Sequence, residues 1–173
     1  MDAAEAVRTK LEVREFKQER VPSDVKRDVL EAARLTQSSM NSQHWRFILV
    51  QEKDGIRRLA ETSVTGAWIA GADFAVIVCT TPGRSVYLFD VGRAVQDMQL
   101  TAWGRGVASG LYTGVKQPEM REAFDIPESL SPVVVVGFGY PKGRLLGKKK
   151  RKPLSELAYL ERYGKALELD ARA

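Results

Sequence analysis

Three short apolar runs along the chain predict buried β-strands. They cover residues 45–50, 72–80 and 132–138 and are rich in the β-branched and aromatic residues that favour strands. The third run holds four consecutive valines, which is typical of a strand buried on both faces in the middle of a sheet. Residues 107–111 form a fourth, shorter apolar stretch behind two glycines.

Apolar residues recur at helical spacing between these runs. The spacing predicts helices over residues 3–14, ending near Val13, from about Ser23 to about Leu35, from Gly55 with Asp54 as cap, and over 87–104 and 118–124. Residues 87–104 are apolar around much of the helix circumference, as expected of a helix buried on more than one side, for example at a subunit interface. Strands separated by helices predict a layered α/β or α+β domain.

The last twenty residues are too apolar for a free tail, so we expect them to dock on this domain or on a neighbouring subunit. Their apolar side chains are Leu154, Leu157, Tyr159, Leu160, Tyr163, Leu167 and Leu169.

Composition fits one globular domain over residues 1–173, because 44% of the residues are hydrophobic and the length is that of a typical domain. The single Cys79 and the single His44 argue against a disulfide framework and a His/Cys metal site, so no metal is expected. No apolar run is long enough to span a bilayer and no signal peptide is recognisable, which predicts a cytoplasmic protein without membrane contact.

The charge favours an anionic partner, since 27 Lys and Arg face 22 Asp and Glu for a net charge of +5. Seven of the cations lie in one basic run between Lys142 and Pro153. The run is consistent with a solvated loop, a nucleic-acid patch or a clamp for one phosphate group. Nucleic acid is disfavoured because no aromatic residue interleaves the charges to provide a stacking surface.

A polar loop, residues 38–43, lies between a predicted helix and a buried strand, a position from which loops often face ligands. Its hydroxyl and amide groups could bind the edge of a polar ring, or could simply cap the adjoining helices.

Five segments together resemble the nitroreductase family of FMN-dependent oxidoreductases. They are KLEVREF at 10–16, SSMNSQHWRF at 38–47, DVGRAVQDMQL at 90–100 with the glycines to 106, GYP at 139–141 and RKPLSE at 151–156. Their order and spacing agree with the family from residue 8 to about 157. The resemblance implies an α+β fold, a three-layer α/β/α sandwich. It also implies an intertwined homodimer whose C-terminal segment packs on the partner, with two FMN molecules between the subunits.

The resemblance also implies a set of cofactor-binding residues. Lys149 and Arg151 would grip the FMN phosphate, Arg14 would stabilise negative charge at flavin N1 and O2, and the backbone N–H of Gly114 would face N5. The complete set is Lys10, Leu11, Glu12, Arg14, Ser38, Ser39, Asn41, Gln43, Gly114, Lys149 and Arg151. No side chain is expected to act as a catalytic acid or base.

Two positions depart from the family pattern. Glu12 stands where many members have Ser, and His44 replaces the usual Pro.

The implied activity is transfer of a hydride from NADH or NADPH through FMN to an acceptor such as a nitroaromatic, a quinone or a free flavin. Three alternatives stay open: a specialised FMN reaction such as flavin breakdown or reductive dehalogenation, FMN binding without turnover, and a basic nucleic-acid-binding protein.

Overall fold

A four-stranded antiparallel sheet forms the centre of the molecule. The computed structural model describes residues 1–143 and 149–169. The strands are β1 (Trp45–Val50), β2 (Phe74–Thr80), β3 (Ala108–Tyr112) and β4 (Ser131–Gly139), in the spatial order β1-β2-β4-β3. The sequence prediction of the valine-rich strand at the middle of the sheet is confirmed, because β4 lies between β2 and β3.

Helices cover both faces of the sheet. They are α1 (Ala3–Thr9), α2 (Ser23–Leu35), α3 (Lys53–Glu61), α4 (Val86–Gly104) and α5 (Gln117–Ala123). On one face, α2 and α4 pack on the sheet around Val76, Met98 and Phe138. On the other, α3, α5 and a 3-10 turn at Ala67–Gly71 pack around Ile69 and Ile77. The fold is therefore a mixed α+β fold in helix, sheet and helix layers.

The two central strands, β2 and β4, are largely buried because helices cover both faces of the sheet. Every residue of β2 is buried, and the rings of Phe74 on β2 and Phe138 on β4 stack with their centroids 4.6 Å apart. Burying side chains of this size stabilises the folded state by about 2 kcal/mol each. The two central strands therefore contribute much of the stability that the core provides.

The first helix is shorter than predicted. It ends at Thr9, because the following residues leave the helix and run beside β3, where the N–H of Val13 donates to the carbonyl of Ser109 at 2.9 Å. Gly110 permits this approach, since a Cβ atom there would lie 2.5 Å from the Val13 carbonyl oxygen. The helical spacing of residues 11–13 was therefore misleading.

Several other boundaries differ from the sequence prediction by one or two residues. Helix α3 begins at Lys53 after Glu52, so Asp54 lies inside the first turn and pairs with Arg57 at 2.6 Å instead of capping the helix. The apolar stretch predicted at 107–111 is strand β3, shifted by one residue to Ala108–Tyr112.

The C-terminal segment, residues 149–169, lies on the surface of its own chain. Its apolar side chains are largely exposed, with Tyr163 at 89% and Leu157 at 60%. It makes a small turn of its own, in which Tyr159 bridges to Ala166. Residues 144–148, which belong to the predicted basic run, lie outside the described residues. Among the helices of the described residues, none has the length and apolar character needed to span a membrane.

Candidate functional site

Cations from both ends of the chain meet in one cleft of about 600 Å³, which we call the basic cleft. Its lining residues are Val7, Lys10, Leu11, Glu12, Gln96, Lys149, Lys150 and Arg151. Five of the predicted site residues are thus brought together. Lys150 and Gln96 were not predicted: Lys150 is one more cation of the basic run, and Gln96 is a polar residue on α4.

Lys10 is the buried cation of this cleft. It follows the last turn of α1, where its backbone N–H donates to the carbonyl of Ala6 at 2.9 Å. Its side chain is 8% exposed and its Nζ forms an ion pair with Glu12, whose side chain is 50% exposed. The amide of Gln99, on α4, donates to the same carboxylate oxygen of Glu12 at 3.2 Å.

The C-terminal segment closes the cleft by joining the end of α1. Lys149 Nζ donates to the carbonyl of Val7, and the Arg151 guanidinium donates to the carbonyl of Lys150 at 2.9 Å. Three cations from the C-terminal segment therefore stand beside Lys10, an arrangement suited to a group carrying two negative charges.

Arg14 lies outside the lining of the basic cleft. Its guanidinium stands over the ring of Trp68, 5.6 Å from the centroid, and Trp68 also packs edge-on against Tyr112. Burial raises the pKa of the Tyr112 phenol, whose hydroxyl donates to the carbonyl of Leu59 at 3.0 Å. The phenol therefore stays neutral near pH 7.

Two buried polar atoms near Arg14 lack a hydrogen-bond partner among the described residues. They are the indole N–H of Trp68 and the hydroxyl of Ser109. Orphaned buried polar atoms are uncommon in native proteins and often mark a place for water or a ligand. Sequence reasoning missed both residues: Ser109 lies within the apolar stretch at 107–111, and no pattern marked Trp68.

Gly114 lies against the loop that follows α3. Its carbonyl accepts from the N–H of Val64 at 2.7 Å, while its own N–H donates to no backbone carbonyl of the described residues. A Cβ atom at this position would stand 3.0 Å from the Thr65 hydroxyl and 3.2 Å from Val64. The position therefore favours glycine and leaves one backbone donor available.

The polar loop at 38–43 holds three residues in the left-handed backbone region. Met40, Asn41 and Gln43 have φ values of 54°, 53° and 45°, which non-glycine residues seldom adopt. The Ser38 hydroxyl accepts from the N–H of Gln43 at 3.0 Å. Strained backbone of this kind persists only where the surroundings fix it, and it clusters at functional sites.

A buried carboxylate on α4 fixes this loop. Asp90 accepts the N–H of Ser39 at 2.8 Å and also lies 3.4 Å from His44 Nε2 and 3.6 Å from the Arg93 guanidinium. Sequence reasoning missed Asp90. Asp90 begins the family-like segment at 90–100, but nothing in the sequence indicated its contact with Ser39.

His44 is a buried member of the same network. Its Nδ1 lies 2.6 Å from the Thr80 hydroxyl, and its ring stacks on Tyr87 at 3.7 Å. These contacts hold the end of the 38–43 loop on the sheet.

The basic cleft and the 38–43 loop contact different ends of α4. Glu12 meets Gln99 and Ser39 meets Asp90, and nine residues of α-helix span roughly 13 Å. Arg14 and Gly114 lie at further places on the fold. One chain therefore does not gather all the predicted residues into a single pocket.

Comparison with known proteins settles the family. The sequence model of the Nitroreductase family matches residues 8–82 and 64–140, which together cover most of the chain. This chain belongs to the nitroreductase family. The resemblance predicted from the five segments is confirmed.

Relatives of this nitroreductase-family chain include archaeal and bacterial proteins. A Methanothermobacter thermautotrophicus protein named "Putative NADH dehydrogenase/NAD(P)H nitroreductase" is 30% identical over 152 residues, 82% of this chain and 78% of the relative. A nitroreductase family protein of Clostridium difficile 630 has the same fold, with 25% identity, a TM-score of 0.80 and coverage of 94% of this chain and 99% of its own.

A second solved structure with the same fold is that of a protein named for its cofactor. It is an FMN-dependent nitroreductase of Clostridium difficile R20291, 21% identical, with a TM-score of 0.79 and coverage of 91% of this chain and 98% of that one. At this identity the likeness concerns the fold.

Proposed function

We propose that this protein is an FMN-dependent oxidoreductase that takes reducing equivalents from NADH or NADPH and passes them to a small organic acceptor such as a nitroaromatic, a quinone or a flavin. The observation that carries the proposal is the basic cleft, where cations from both ends of a nitroreductase-family chain converge. When bound, FMN supplies the hydride chemistry, and the protein supplies binding, orientation and charge.

The basic cleft fits the phosphate of FMN. Lys10, Lys149 and Arg151 would hold it through charge-assisted hydrogen bonds, which are stronger than those between neutral groups. Leu11 and Glu12 line the same cleft. Four cations against one carboxylate leave an excess of positive charge for a dianion.

Arg14 and Gly114 would serve the ring system. The guanidinium of Arg14, held over Trp68, is a fixed positive charge for negative charge that develops on the pyrimidine side. The N–H of Gly114, which donates to no backbone carbonyl of the described residues, is a donor for flavin N5. The orphaned polar atoms of Trp68 and Ser109 support a polar ligand in this region.

The 38–43 loop would come from a second subunit. Within one chain, the loop contacts α4 at Asp90, whereas the basic cleft contacts it at Gln99. In a site formed by two copies, the loop of the second subunit would supply Ser38, Ser39, Asn41 and Gln43. Three surfaces support an intertwined homodimer: the outer edge of β1, which pairs only with β2 among the described strands, the exposed Leu88 and Phe89 of α4, and the apolar C-terminal segment. Packing that segment on a partner would cover its exposed leucines.

The first experiment is an absorbance spectrum from roughly 300 to 550 nm of protein purified without added flavin, repeated after FMN addition and gel filtration. We expect flavin bands at about one FMN per chain that bleach with NADH or NADPH under argon and return when an acceptor is added. Light scattering during the same gel filtration measures the mass, for which we expect a dimer.

Each alternative has its own outcome. A bound flavin that no nicotinamide bleaches would indicate an FMN binder or a specialised reaction. A colourless protein that also refuses FMN would contradict the proposal, and salt-sensitive binding of nucleic acid by that protein would favour the basic-protein alternative.

A further inference from the structure

The basic cleft contains an anion of its own. Among the described residues that line it, Glu12 is the one carboxylate, and it pairs with Lys10, the most deeply buried of the cations. The amide of Gln99 supports the carboxylate from α4 at 3.2 Å. Glu12 is therefore directed at the cation that a bound phosphate would use most strongly.

A phosphate in this cleft meets two opposing effects. Lys149, Lys150 and Arg151 attract it, whereas Glu12 repels it and already occupies Lys10 Nζ. The repulsion matters because like charges a few ångströms apart near a protein surface repel each other more strongly than they do in bulk water. The Glu12 side chain is half exposed, and it can move away from the phosphate only by giving up its contacts with Lys10 and Gln99.

We propose that Glu12 competes with the cofactor phosphate for Lys10, so that it weakens retention of FMN while leaving the binding of phosphate-free flavin unchanged. This inference rests on the proposed function. Its consequence is a flavin site with a reduced preference for the phosphorylated form and faster exchange of bound FMN than the four cations alone would allow.

The test compares FMN with riboflavin, which lacks the phosphate, by titration of flavin fluorescence at low and high salt. In Glu12→Gln the charge is removed and the amide can still accept from Gln99. We expect FMN to bind about tenfold more tightly and to dissociate more slowly, and riboflavin affinity to stay within about twofold. The gain should shrink at high salt, which screens charge.

Two further variants keep the result interpretable. Glu5→Gln removes the same charge from α1, in a residue outside the cleft lining, and should leave the ratio of FMN to riboflavin affinity unchanged. Glu12→Ser tests the same charge removal with a smaller side chain, in case the Gln variant folds poorly.

The outcomes separate this inference from the proposed function. Wild-type protein that binds neither flavin overturns both. Wild-type protein that binds FMN, with Glu12 variants that bind it no better or gain equally for FMN and riboflavin, overturns the competition alone. A weaker FMN affinity in Glu12→Gln would mean that Glu12 helps to hold the cofactor.

Discussion

The 38–43 loop and the basic cleft both contact helix α4, but different forces hold them. In the loop, the N–H of Ser39 donates to the buried carboxylate of Asp90, and buried His44 lies at the end of the loop. The cleft has half-buried and exposed cations on the C-terminal segment around a single buried one, Lys10.

Because of this difference, we expect the loop to affect the stability of the fold and the cleft to affect the affinity for a ligand. Each left-handed residue of the loop costs about 1 kcal/mol or more, and the buried contacts of Asp90 and His44 help to offset that cost. Exposed cations add little to folding, typically less than about 1 kcal/mol per pair, but they decide how strongly an anion binds. Substitutions of the buried residues of the loop network should therefore destabilise the protein, and substitutions in the cleft should weaken ligand binding.

The largest effect is expected from Asp90→Ala. The change leaves the Ser39 N–H and the buried His44 without their acceptor, so the free energy of unfolding should fall by about 3–5 kcal/mol. Urea unfolding followed by circular dichroism measures it.

Arg93→Ala is the matched control for Asp90. Arg93 contacts the same carboxylate at 3.6 Å, but its side chain is 50% exposed, so we expect a loss below about 1 kcal/mol. Equal losses in the two variants would show that burial of Asp90 is not what anchors the loop.

The next effect concerns affinity. The double variant Lys149→Ala, Arg151→Ala removes two cleft cations and should weaken FMN binding by about tenfold to a hundredfold while leaving riboflavin binding nearly unchanged. Its urea midpoint should stay close to that of the wild type. Flavin fluorescence titration and urea unfolding provide the two measurements.

A second double variant, Lys152→Ala, Lys165→Ala, removes the same charge outside the cleft lining. These lysines pair with Glu156 and Glu161 within the C-terminal segment, so FMN affinity should change by less than about threefold. If both double variants lose FMN equally, net charge and not the cleft controls binding.

The smallest effect tests whether water is excluded from strand β2, which carries Thr80. Burial of the neighbouring Cys79 raises the pKa of its thiol from 9.0 to about 11. The neutral thiol is thus favoured in the folded state, and its contribution to stability is present below pH 9 and lost as the pH rises through 11. We expect a loss of about 1 kcal/mol by pH 10, which Cys79→Ala lacks.

In Cys79→Ala, the free energy of unfolding should still fall at alkaline pH, but less than in the wild type. The remaining fall comes from Tyr112, because burial raises the pKa of its phenol as well. Alkylation of folded wild-type protein at pH 8 provides an independent check. If Cys79 reacts with iodoacetamide as fast as it does in urea, this end of the strand is open to water and the 38–43 loop is anchored less firmly than its contacts indicate.

Most of the fold could be predicted from the apolar pattern. The predicted bounds of β1 and α2 match the structure, and α4 begins one residue before the predicted start, because long regular patterns of apolar residues leave few alternatives. The end of α1 could not be predicted, since Glu12 and Val13 pair with β3 only where Gly110 makes room. Strand β3 was hard to recognise because Ser109 and Gly110 have low strand propensity.

Half of the candidate site was visible in the sequence and half was not. The resemblance indicated Lys10, Lys149 and Arg151, which the fold brings to one cleft. Asp90 belongs to the segment at 90–100 that carries the resemblance, but its role could not be found in this way, because it acts on Ser39 across 51 positions of the chain. Nor could Trp68, whose unsatisfied indole N–H is visible only once the chain is folded.

The position of β4 in the sheet has a consequence for biosynthesis. Strand β3 pairs with β4 alone among the described strands, and β2 gains its second neighbour only from β4. During translation, residues 74–112 leave the ribosome well before residues 131–139. The nascent chain therefore exposes the apolar edge of β2 and leaves β3 without its partner strand until β4 is made, a period in which chaperones should protect it from aggregation.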